Sequence, residues 1–259
     1  MGSGAASRES APEGASDHGA LLVFGVVPAP DDGPPVILND SSAMAVAHSG
    51  VAAVVAPVRL DRPAGRAELK QYQAVLDDVV AQTAVVPVRF GTVLEDEEAV
   101  LEFLARQHDQ LGLALDRLRG HRQYNLRVTY REEEVLAQLV AGEPEIEALR
   151  NRTKDLPEDA SYADRIRLGE LIARALEARA ADDARPLLDT IAPLAADLRV
   201  RQQPGGLQVL DVALLVEDQR AEQMLDALEA LASENRDLLV FRAVGPLPAY
   251  DFVEDAAWA

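Results

Sequence analysis

The sequence predicts an α+β protein: an N-terminal ferredoxin-like domain with an added helix, then a C-terminal α+β domain in which long helices pack beside a small antiparallel sheet. Three observations carry this reading. Short apolar runs of strand length alternate with helix-period stretches through residues 20–130. A charged, helix-period block follows Tyr130. Two strand-like runs around Pro204-Gly205-Gly206, a helix and a last strand then return the chain to sheet. The expected organisation is a disordered tail over 1–19, a first domain over 20–130 and a second over 131–259.

Leu21 to Val27 is a short buried strand that Pro28 to Pro35 cannot continue. Asp40 and Ser41 can cap a short helix running through Ala47, with Gly50 ending it and Val51 to Val58 returning as a strand. From Arg66 to Gln82, Leu69, Tyr72, Leu76, Val79 and Val80 recur at helical spacing, and Ala84 to Phe90 reads as the next strand. A longer helix carries the stripe Leu101, Leu104, His108, Leu111, Leu115 and Leu118. Acid in Leu94-Glu95-Asp96-Glu97-Glu98 suits its first turn, and Gly120 closes it before a strand from Tyr124 to Tyr130.

Charged helices are expected over Arg131 to Ala141 and Pro144 to Arg152. After Pro157 a long helix presents Tyr162, Ile166, Gly169, Ala173, Leu176 and Ala180 at heptad-like spacing, a narrow seam suited to a neighbouring antiparallel helix. Pro186 and Pro193 should interrupt or kink the chain beyond that seam. Leu198 to Gln202 and Leu207 to Val216 form a hairpin, Asp218 to Ser233 an amphipathic helix and Leu238 to Val244 the last strand. Counted together with the long helix and the Tyr124 strand, this half reads as a second ferredoxin-like unit. Leu207 to Val216 is apolar on both faces apart from Gln208 and Asp211, so helices should cover one face and the first domain or a partner the other.

The 259 residues carry 44 acidic against 25 basic side chains, a formal charge of -19. A polyanion meets repulsion from such a chain, so nucleic acid and anionic membrane surfaces are not expected partners. No stretch approaches the roughly 20 apolar residues of a membrane span. Residues 1–19 lack the basic start and apolar middle of a secretory signal, and the absence of cysteine removes disulfides, thiolate metal sites and a cysteine nucleophile while fitting a cytoplasmic setting. The four histidines, His18, His48, His108 and His121, have no companions at metal-ligand spacing, and His108 reads as a hydrogen-bonded boundary residue. Gly205-Gly206 sits in a hairpin rather than at a phosphate-binding helix start. No cofactor, metal or catalytic residue is assigned, and the chain is not expected to be an enzyme.

Two segments stand out. Val86-Pro87-Val88-Arg89-Phe90-Gly91-Thr92-Val93 joins a strand end to a helix, and Gly245-Pro246-Leu247-Pro248-Ala249-Tyr250-Asp251-Phe252-Val253 holds two aromatic rings on a stiff extended stretch. Both read first as structural joints, with Gly91 for a tight turn and Tyr250 and Phe252 filling a groove, and second as partner contacts.

Leu22 to Val26, Pro87 to Val93 and Gly245 to Val253, with the Tyr162 to Ile172 and Leu210 to Glu217 segments between them, resemble gas vesicle proteins of the GvpL/GvpF family from Leu21 to Val253. The chain departs from that pattern at Leu247, where an aromatic residue is common, at Ala249, where a second proline is usual, and near Gln123, where an acid is expected. The resemblance implies a cytoplasmic, gas vesicle-associated accessory protein that binds the hydrophobic main shell protein, other gas vesicle accessory proteins, or both, in a chaperone-like or nucleating role. Arg89, Phe90, Thr92, Pro246, Pro248, Tyr250 and Phe252 are the candidate interface residues. The alternatives are a minor structural component retained in the vesicle shell and a small-ligand-binding regulatory protein.

Overall fold

In the first unit β1 (Leu21–Pro28), β2 (Met44–His48), β3 (Val51–Pro57), β4 (Val86–Pro87) and β5 (Val93–Leu94) form one antiparallel sheet. Strand order is β2-β3-β1-β4, with β5 on β1. This is the ferredoxin-like order, in which β3 lies between β1 and β2 and the helix α1 (Arg66–Gln82) carries the chain to the far side of β1. A computed structural model of the chain describes residues 19–30, 36, 38–40, 42–58 and 65–253. The expected tail therefore lies, apart from Gly19, outside the described residues.

The sheet is covered on both faces. β3 turns Val51, Ala53 and Val55 toward the added helix α2 (Glu97–Leu118), and Ala52, Val54 and Ala56 toward α1, so the strand is apolar throughout rather than alternating. The side chain of Asp96 accepts from the Ala99 amide at 2.9 Å and caps α2. Asp96→Ala is expected to lower unfolding stability by about 1 kcal/mol, read from urea midpoints, with Asp96→Ser close to unchanged.

The second sheet contains β6 (His121–Tyr130), β7 (Asp197–Gln202), β8 (Gln208–Glu217) and β9 (Leu239–Leu247) in the order β7-β8-β6-β9, all antiparallel. With β6 as its first strand it repeats the order of the first unit. Between β6 and β7 run α3 (Glu132–Gly142), α4 (Pro144–Thr153) and α5 (Glu158–Ile191), and α6 (Ala221–Glu234) joins β8 to β9. Tyr124, Leu126 and Val128 of β6 and Leu210, Val212 and Leu214 of β8 pack with Leu176, Ala180, Leu187 and Ile191 of α5 and Met224 and Leu228 of α6. From the opposite face Ala213 and Leu215 join the α2 core of the first unit, so the apolar character of β8 on both faces has its explanation within the chain.

Several local expectations are corrected. The Tyr124 strand, read as closing the first domain, hydrogen-bonds with β8 and β9 and belongs to the second sheet. Residues 44–48 form a strand and not the end of a helix. Asp40 accepts from the Ser42 amide at 2.8 Å in a tight turn, and pairing along β3 outweighs the weak local helix preference. Only Val86 and Pro87 of the expected Ala84 to Phe90 strand enter the ladder there. Helix α5 runs through Pro186 to Ile191, and Pro193 falls in a 3-10 turn at Ala192–Leu194. Its seam splits: Leu176 and Ala180 are buried, whereas Tyr162 and Ile166 are exposed, because α4 packs beside the first half of α5 without covering that stripe.

Candidate functional site: a cleft between the two units

The segment Val86 to Leu94 runs along β1 with a bulge in its middle. Val88 N donates to Phe24 O at 3.1 Å and Val23 N to Thr92 O at 2.9 Å, leaving Arg89 to Gly91 outside the ladder. The residues Arg89 to Thr92 make a turn closed by Thr92 N on Arg89 O at 3.1 Å and by the Thr92 hydroxyl on the same carbonyl at 2.9 Å. Gly91 has φ 91°, a conformation that favours glycine. The turn pushes Arg89 and Phe90 out of the sheet, and Phe90 meets the buried Tyr72 edge-on with ring centroids 5.0 Å apart.

Tyr72, on α1, organises this corner. Its ring stacks on Phe24 at 5.1 Å, and its hydroxyl, with one proton to donate, lies between the carbonyls of Phe24, at 3.0 Å, and Val88. Burial, followed by the adjacent Tyr250, pushes its pKa far above the ordinary tyrosine range, so it stays a protonated donor.

The C-terminal segment arrives from the other unit. β9 ends at Leu247 and a 3-10 turn, Tyr250–Phe252, comes after it. The Tyr250 hydroxyl lies 3.4 Å from both the Tyr72 hydroxyl and the Val88 carbonyl. Gln123, 2% exposed, holds the backbone of the same turn: the Asp251 amide donates to its Oε1 at 3.1 Å, and its Nε2 donates to the Asp251 carboxylate and to Asn125 Oδ1. A carboxylate at position 123 would oppose Asp251 and supply no donor, so the hydrogen bonds of this turn call for an amide there. Arg201 completes the arrangement, 3.4 Å from Asp251 and 3.7 Å from Asp211.

The result is a cleft of about 740 Å³ between α1, the Arg89 turn, the second sheet and the C-terminal strap. Its walls combine Leu69, Leu76, Phe90 and Tyr250 with Arg89, Gln123 and Arg201. Asp77 also lines it, its pKa raised first by burial and then by Asp78.

Of the seven residues singled out from sequence, Arg89, Phe90, Pro248 and Tyr250 line this cleft. Thr92 closes the turn behind Arg89, Pro246 is exposed on β9, and Phe252 is buried in the first unit's core. Tyr72, Gln123, Arg201 and Asp251 belong to the site as well. Tyr72 was legible only as one member of a helical stripe, and Asp251 was visible between the two aromatic residues of the last motif. His108 takes the boundary role expected of it: its Nε2 lies 2.8 Å from the Ser49 carbonyl in the β2–β3 turn, and that bond, then Asp109, raises its pKa. Among the described residues no group of His, Cys, Asp and Glu could hold a metal ion, and no helix is long and apolar enough to cross a membrane.

Two antiparallel ferredoxin-like units in tandem, sharing one core through α2 and enclosing a cleft at their junction, define a two-unit α+β protein. The profile of the family described as gas vesicle synthesis protein GvpL/GvpF matches residues 20–254. The chain is 31% identical over 207 residues to gas vesicle protein F of Streptomyces sp. (strain CB03234), covering 80% of this chain and 86% of that protein. The crystal structure of GvpF from Anabaena sp. PCC7120 superposes with a TM-score of 0.77 at 18% identity, over 92% of this chain and 99% of the other. GvpF from Microcystis aeruginosa gives a TM-score of 0.71 at 20% identity, over 91% and 99%. The chain belongs to the gas vesicle synthesis protein GvpL/GvpF family.

Proposed function

We propose that this chain is a gas vesicle assembly factor of the cytoplasm that uses the inter-unit cleft to hold the hydrophobic shell subunit, keeping its apolar surface from aggregating until it joins the growing vesicle. The observation that carries this reading is the convergence of the Arg89-Phe90 turn and the Tyr250 strap on one open cleft. Aromatic and arginine side chains are the types that most often anchor interfaces. Tyr250 is 44% exposed despite its hydrogen bonds, so its ring keeps a free face for a partner. The high negative charge suits a carrier that must keep an apolar client in solution.

The test is co-expression of the tagged chain with the shell subunit alone, followed by co-purification. The wild-type chain should retain the subunit, and the Phe90→Ala, Tyr250→Ala double variant should lose it by about tenfold or more, as expected when two anchors of about 1 kcal/mol or more each are removed. Leu113→Ala, at a 72% exposed position on α2, is the neutral control. Retention by a double variant with wild-type circular dichroism would place the contact elsewhere. Failure of the wild-type chain to retain the subunit would redirect the reading toward the other accessory proteins.

A further inference from the structure

The face of the second sheet turned away from α5 and α6 carries a charge pattern that folding does not explain. Arg127 on β6 stands directly opposite Arg242 on β9, while Asn125 faces Val244 and Thr129 faces Val240. Directly opposed residues on one face have Cβ atoms about 5 Å apart, and like charges there are destabilising. Arg127 is relieved on its other side by the buried Asp211 carboxylate at 2.6 Å. Arg242 makes no ion pair or side-chain hydrogen bond among the described residues, and the Val240 and Val244 beside it are 41% and 43% exposed. The four strands of this sheet hold five arginines and three acidic residues, in a chain with 44 acidic and 25 basic side chains. Through Asn125 and Arg201 the same face continues into the cleft.

We infer that this face docks an extended acidic segment of a partner protein, with a carboxylate over Arg242 and Arg127 and aliphatic side chains on Val240 and Val244. The repeat sets the shape of the occupant: Val240, Arg242 and Val244 recur every two residues, about 7 Å apart along β9, which matches alternate side chains of an extended chain and not a helix turn. Charge sets its chemistry: Asp211 offsets Arg127, and an anion above the sheet would offset Arg242, which has no ion pair among the described residues. Screening lets the local arginines act against the overall charge: at physiological salt the Debye length is about 8 Å, so distant acidic helices repel a short segment weakly. A nucleic acid, with a charge at every phosphate along its length, would meet repulsion from a chain with 44 acidic against 25 basic side chains. This inference stands apart from the shell-subunit reading.

The test uses the full chain and a fluorescein-labelled peptide that alternates Val-Ser-Glu-Ser, with a Glu-to-Gln version beside it, read by fluorescence anisotropy. The acidic peptide should bind, its affinity should fall as salt is raised, and the Gln version should not bind. Arg242→Glu should weaken binding by about tenfold or more. Arg236→Glu, at a 75% exposed side chain outside this face, should leave it unchanged. Arg242→Glu also converts the like-charge pair with Arg127 into an attractive one, so its melting temperature should equal or exceed that of the wild type. That separates lost binding from lost folding. Wild-type binding by Arg242→Glu, equal binding of the Gln peptide, or equal weakening by Arg236→Glu would each overturn the inference.

Discussion

Phe252→Ala is expected to lower the unfolding free energy by about 3–5 kcal/mol, the range for truncating a buried phenylalanine. Phe252 is 3% exposed and lies in the core that joins the first sheet and α2 to Ala213 and Leu215 of the second sheet. It also fixes the turn that positions Tyr250 and Asp251, so the cavity left by truncation opens at the junction rather than inside one unit. Phe252→Leu keeps most of the volume and should cost less than about 1.5 kcal/mol. Urea unfolding of the three proteins measures this directly. Binding per mole of folded protein should fall only as far as Tyr250 is displaced, which distinguishes an anchor from a contact residue. A Phe252→Ala protein with a wild-type midpoint would mean that the strap does not join the units.

The second large effect is expected at Gly245. A Cβ there would overlap Tyr124 Cδ1 and sit 2.9 Å from the Gln123 carbonyl oxygen. Neither neighbour yields easily. Tyr124 is 6% exposed within the core of the second unit, and Gln123 O is backbone in the central strand β6. Gly245→Ala must therefore separate β9 from β6 where their register already shifts between Gln123 and Asn125, at a cost of about 3 kcal/mol or more. The displacement should reach the adjoining strap, so the variant should lose both stability and shell-subunit retention. Ala substituted at Gly169, where a Cβ meets nothing within 4 Å, is the control that should leave stability unchanged or raised, because it relieves a helix glycine. If Gly245→Ala melted with the wild type, glycine would not be required by the strand approach.

Much of this architecture was legible in the chain. The Arg66–Gln82 helix has the limits that its apolar period gives, and the last hairpin and α6 match their turn and helix signals closely. The Gly91 turn and the Pro-rich strap were visible as unusual segments because glycine, proline and aromatic residues mark backbone constraints locally. The lining of the candidate cleft was half visible: Arg89, Phe90, Pro248 and Tyr250 lie in segments that bulge or stiffen the chain, whereas Tyr72, Gln123 and Arg201 look like ordinary members of a helix stripe or a strand.

What the sequence by itself determined was the set of elements whose patterns are local: helix period, strand runs, caps and tight turns, each written within a few residues. The tertiary structure decided the rest. It made residues 44–48 a strand by pairing them with β3, moved β6 into the second sheet, and left Tyr162 and Ile166 uncovered on α5. It also brought Gln123 to Asp251 across 128 residues and Tyr250 to Val88 across 162. The physical reason is the same in each case. Sheet membership, burial of a helix face and the meeting of two distant motifs are set by contacts whose partners lie far apart in the chain, and no local period encodes which partner will be there.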